Sequence, residues 1–64
     1  MVEYIGREVR LAKHVGVREL ARKSGLAPST ISKWENGSAI PDLYALALAA
    51  KELNVKPWDL VKFS

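Results

Sequence analysis

The chain has 64 residues, which predicts one domain spanning residues 1–64 and excludes a second independent core. It has no cysteine, so disulfides, thiolate nucleophiles and cysteine-ligated metals are ruled out, and a small unstapled domain is expected in the reducing cytoplasm. The net charge of +3 is unevenly placed: residues 1–41 carry seven cations against four anions and residues 42–64 carry three of each, which predicts an anionic partner on one side of the molecule.

No stretch of four or more residues alternates as a half-buried strand does, so an all-α chain of short helices is expected. From Val2 to about His14 the apolar residues Val2, Ile5, Val9 and Ala12 fit one helical stripe, and Glu3 could pair with Arg7 one turn on. Gly6 weakens that helix by up to about 1 kcal/mol relative to Ala unless another backbone packs closely there. A second helix is predicted over Val17–Ser24, burying Leu20 and Ala21, with Glu19 and Lys23 paired on its wet side and Gly25 ending it. A third begins at Pro28, where the missing N–H costs nothing, and runs to Trp34 or Glu35. Asn36, Gly37 and Ser38 form a turn. Asp42 is placed to cap a fourth helix that ends at Leu53 and buries Leu43, Leu46, Ala47, Ala50 and Leu53. Pro57 opens a fifth helix through Trp58, Leu60, Val61 and Phe63, with Trp34 and Trp58 read as core. No apolar run approaches the roughly 20 residues of a bilayer span. Charged Glu3, Arg7 and Glu8 stand where a signal peptide would be apolar, so a mature, non-membrane chain is expected.

The stretch from Val17 to Asn36 is the most informative. Two short helices are joined by Gly25-Leu26-Ala27, too short a link for antiparallel packing, so they must cross steeply over a small residue. Ala21 is that residue, while Leu26, Ile31 and Trp34 fill the wedge. This spacing predicts a helix-turn-helix at about 17–36 whose second helix projects outward.

The segments Glu19-Leu20-Ala21-Arg22-Lys23-Ser24-Gly25-Leu26 and Ser29-Thr30-Ile31-Ser32-Lys33-Trp34-Glu35-Asn36-Gly37, then Pro41-Asp42-Leu43 and Asn54-Val55-Lys56-Pro57-Trp58-Asp59-Leu60, resemble in order the Cro/cI-type (XRE-like) helix-turn-helix domains of phage repressors and many bacterial and archaeal regulators. The resemblance covers almost the whole chain. It implies a compact five-helix bundle, sequence-specific binding of double-stranded DNA, a repressor-like role in transcription and, commonly, a homodimer on a palindromic site.

At about 100° per residue and with Ile31 at zero, Trp34 falls at about −60° and Glu35 at about 40°, whereas Ser29, Lys33 and Asn36 fall at about 160°, 200° and 140°. Ser29 and Lys33 therefore face a groove, with Ser32 on the edge of that face and Asn36 where the helix leaves it. Without the surrounding motif the same residues would read as ordinary solvated surface. The family's base-reading positions match Pro28, Ser29 and Lys33. Pro28 offers no side-chain hydrogen bond and could only touch a thymine methyl or shape the helix start. Backbone contacts are expected from the Val17 N–H, Arg18, Lys23, Ser32, Asn36 and Ser38.

The sequence departs from the family at the start of the second helix, where Val17 replaces the usual phosphate-bonding Gln and Gly16 the usual cap. Ala27 and Lys56 likewise stand where capping side chains are usual, each omission worth about 1 kcal/mol. Arg10 and Glu35 match positions that several family members join by a salt bridge, the alternative being two independent surface charges. Tyr44 and Leu48 form an apolar pair opposite Leu46 and Leu53 on the fourth helix, a possible dimer or partner surface to which Phe63 could add, unless both lie against the C-terminal helix. A protein-binding adaptor or antitoxin-like partner using that surface is the alternative function. His14 reads as a surface or capping residue. No carboxylate pair, triad, metal cluster or phosphate loop marks an enzyme, and no cofactor or metal is expected.

Overall fold

A computed structural model of the chain describes residues 1–63 in the order β1 (Val2–Tyr4), α1 (Gly6–Ala12), α2 (Val17–Ser24), α3 (Pro28–Glu35), α4 (Leu43–Leu53), a 3-10 turn (Pro57–Leu60) and β2 (Val61–Phe63). The strands pair antiparallel, Val2 opposite Phe63, Glu3 opposite Lys62 and Tyr4 opposite Val61. The Ile5 N–H extends the ladder by donating to the Leu60 carbonyl at 2.8 Å. The expected five-helix bundle is thus four α-helices and a small sheet. Val-Glu-Tyr and Val-Lys-Phe are β-branched and aromatic triplets that pair apolar with apolar and anion with cation, and that complementarity outweighs helical continuation at both ends.

Helix α1 consequently starts at Gly6, and the expected Val2, Ile5, Val9 and Ala12 stripe does not form: Ala12 is exposed, Val9 half-buried, and Arg10 is the side chain that turns inward. The expected Glu3–Arg7 pair is absent from the described residues because Glu3 lies in the strand. Gly6 is buried under the Tyr4 ring, and a Cβ there would collide with the phenol.

Leu20, Ile31, Leu53 and Leu60 are the largest fully buried side chains. Around them pack Tyr4, Ala21, Trp34, Leu46, Ala49 and Ala50. On α4 the buried set is Leu46, Ala49, Ala50 and Leu53, spacings of three, four and seven, so Ala49 takes the place expected of Ala47, and Leu43 stays 66% exposed. Trp58, expected in the core, is 64% exposed. With three residues per turn, Pro57 and Leu60 eclipse each other on the inner side of the 3-10 turn, and Trp58 falls on the outer side.

The helix ends follow one rule. His14, Gly25, Gly37 and Asn54 adopt left-handed φ values of 58°, 80°, 83° and 58°. The next N–H in each case reaches back five residues, Val15 to Arg10 at 3.1 Å, Leu26 to Ala21 at 3.1 Å, Ser38 to Lys33 at 2.9 Å and Val55 to Ala50 at 3.0 Å. At the starts, the Asp42 carboxylate accepts from the Ala45 N–H at 2.8 Å, whereas Gly16 and Ala27 provide no side-chain cap. The 3-10 turn is not left bare by Lys56, since the Asp59 carboxylate accepts from the Lys56 N–H at 3.1 Å.

Candidate nucleic-acid interface

Helices α2 and α3 are packed through Leu20, Ala21, Ile31 and Trp34, all at most 4% exposed. Gly25 makes the bend between them: its φ of 80° is open to glycine at no steric cost, and its N–H donates to the Ala21 carbonyl at 2.9 Å. Buried Ser24, which the sequence did not single out, sits at the same corner and donates its hydroxyl to the Ala21 carbonyl at 3.4 Å. The half-buried Leu26 closes the wedge.

This arrangement leaves one side of α3 uncovered. Pro28, Ser29, Ser32, Lys33, Asn36 and Ser38 are all exposed, as are Arg18 and Lys23 on α2. Val17 is half-buried against the core, so only its backbone N–H faces outward chemistry. Asn36 is oriented by its own turn: Oδ1 accepts from the Ser38 N–H at 2.9 Å, which leaves the amide NH₂ as an outward donor. Lys23 is shared with Glu19 at 3.2 Å, an exposed pair that weakens its pull on a second anion. Among the described residues Arg18 and Lys33 have no carboxylate partner. The face is a set of hydrogen-bond donors and cations suited to base edges and phosphate oxygens.

Arg10 and Glu35 meet behind this face. Nε donates to Oε2 at 2.8 Å and Nη2 to Oε1 at 3.0 Å, while Nη1 donates to the Val15 carbonyl at 2.8 Å. The side chains are only 9% and 10% exposed. The fork-to-fork geometry ties α1 and the loop after it to the end of α3, and it cancels the one carboxylate that would otherwise repel a polyanion there. Hydrogen bonding to Glu35 holds the Arg10 guanidinium above its usual range, more than offsetting its desolvation. Removing one partner of such a buried pair costs about 3–5 kcal/mol, because the other charge is left stranded.

Tyr4, also missed by the sequence reading, lies beside this pair. Its ring meets Trp34 with centroids 5.5 Å apart and planes tilted 59°. Burial pushes its phenol up to about 12, with Glu35 adding to the rise and Arg10 opposing it. Its hydroxyl has no hydrogen-bond partner among the described residues.

Of the residues expected to form an apolar surface, Tyr44 is 76% and Phe63 71% exposed, and Leu48 is half-buried. Phe63 stands at the sheet edge opposite Val2. Among the described residues no three His, Asp or Glu side chains gather as metal ligands, and no helix is long and apolar enough to cross a membrane.

The profile of the helix-turn-helix family matches residues 7–59. Four solved chains also match. One of them is the crystal structure of a candidate DNA-binding protein from Bacteroides fragilis, 32% identical, with 97% of this chain and 100% of that one covered and a TM-score of 0.89. No curated protein is matched.

Proposed function

The chain belongs to the helix-turn-helix family, and from that premise we propose that it binds double-stranded DNA sequence-specifically as a repressor-like transcriptional regulator, with residues 1–64 acting as one cytoplasmic domain. Helix α3 enters the major groove. Lys33 and Ser29 read base edges, Pro28 contributes apolar contact, and the Val17 N–H, Arg18, Lys23, Ser32, Asn36 and Ser38 hold the phosphate backbone. The observation that carries the reading is the uncovered row of Ser29, Ser32 and Lys33, whose side chains have no partner among the described residues, on a helix whose opposite side is pinned by Ile31, Trp34 and the Arg10–Glu35 clamp. A homodimer would set two such helices about 34 Å apart on a palindromic site.

Selection of binding sites from a random duplex pool tests this directly, a palindromic consensus being the expected result. On the selected duplex, Lys33→Ala is expected to weaken binding by about 1–3 kcal/mol and to relax preference at one base pair. Unchanged affinity and preference would remove α3 as the reading element. Exposed Tyr44, with half-buried Leu48 one turn on, supports a second reading, a protein-binding adaptor or antitoxin-like partner using that surface. Its binding would lack the steep salt dependence that phosphate contacts impose.

A further inference from the structure

Beside α3, on the flank turned toward α1, lies an open depression of about 350 Å³ lined by Arg7, Arg10, Ser32, Glu35 and Asn36. Its floor is chemically spent. Both Glu35 oxygens and three nitrogens of Arg10 are engaged with each other and with the Val15 carbonyl. The rim is not. Arg7 is exposed, and among the described residues its guanidinium forms no salt bridge, although Glu3 and Glu8 border the adjoining hollow with it. Ser32 is exposed one turn before Asn36, and Asn36, with Oδ1 committed to the Ser38 N–H, has its NH₂ left to give. With the Arg10–Glu35 charges cancelling, the depression carries one net positive charge and donors from two helices held at a fixed spacing by the clamp beneath them. That donor set fits a phosphate-type oxyanion.

We propose that Arg7, Ser32 and Asn36 form one seat for a single phosphodiester of the bound duplex, with Arg7 supplying its charge. The inference rests on the reading that α3 enters the groove. Ser32 and Asn36 lie on the α1 side of the row that contains Lys33, so the backbone bordering the bases under Lys33 passes over this depression. Arg7 then anchors α1 to the strand whose bases α3 reads, and the seat sets how α3 is registered along the groove.

The test uses the full chain and its selected duplex. Arg7→Ala is expected to weaken specific and non-specific binding alike, by about three- to tenfold, and to reduce the slope of log K against log salt by about one phosphate's worth. Site preference stays as in the parent chain, and Arg7→Lys restores most of the slope. Neutral methylphosphonates introduced one at a time into the duplex locate the contact: one position weakens the parent chain and has no further effect on Arg7→Ala. An unchanged salt slope in Arg7→Ala, or methylphosphonate losses equal in both chains at every position, overturns the seat while leaving the Lys33 result standing. A parent chain that selects no duplex overturns the seat and the DNA reading together.

Discussion

Tyr4 shows how one side chain can couple stability to pH. Its ring contributes apolar burial against Trp34, but its hydroxyl is carried into the core without a hydrogen-bond partner among the described residues. An unpaired buried hydroxyl costs about 1–3 kcal/mol. Because burial pushes the phenol up to about 12 from 10.0, the folded chain keeps its proton where the unfolded chain has lost it. This contribution to stability is therefore fully present below pH 10 and is lost as pH rises from about 10 to 12. Tyr4→Phe keeps the ring and removes both effects. Urea unfolding is expected to find the variant at least as stable as the parent at pH 7, with the difference growing in its favour at pH 11. A gap that is the same at both pH values would mean that the phenol ionises equally in the folded and unfolded chains.

At the scale of elements, the four left-handed helix ends are not equivalent. Gly25 and Gly37 adopt that conformation freely and Asn54 tolerates it, but His14 carries a Cβ that strains it. Its side chain is exposed and the six-residue closure uses only backbone, so His14→Gly is expected to stabilise the chain by about 0.5–1 kcal/mol in urea unfolding. A destabilised variant would show that the imidazole contributes contacts beyond its backbone. The end at Gly25 was legible in the sequence because glycine there, flanked by periodic apolar residues, has few other readings, and the bounds of α2 and α3 and the Asp42 cap followed from equally local signals. The strands were not legible. Each is three residues long, too short to show a period, and the evidence for one is the other, at the far end of the chain. Tyr4 and Ala49 were missed for a related reason: whether a residue is buried depends on what packs across from it, which the sheet and the 3-10 turn decide. The outward row on α3 could be read, since Ile31 and Trp34 fix the helix's rotation. The depression under Arg7 could not, because it exists only once α1 is docked against α3.

At the scale of the molecule, the sheet ties residues 2–4 and 61–63 to the packing that supports the candidate interface. Val2 pairs with Phe63, and through Tyr4 the same strand presses on Trp34, the residue next to exposed Lys33 on α3. A domain of this size has only about 3–5 kcal/mol of net stability from its core. Removing a buried aromatic side chain costs about as much. Deleting residues 1–4 takes away Tyr4, unpairs β2 and exposes the Gly6 face of α1 while leaving every proposed DNA contact in the sequence. The truncated chain is therefore expected to be largely unfolded at 25 °C by circular dichroism, and to regain helix on titration with the selected duplex, since a ligand that binds only the folded form draws the equilibrium toward it. Its apparent affinity falls by the fraction that is folded. A truncated chain that is fully folded alone and binds as tightly as the parent would mean that the strand is ornamental, and that α3 is seated by the Arg10–Glu35 clamp and the α2 contact alone.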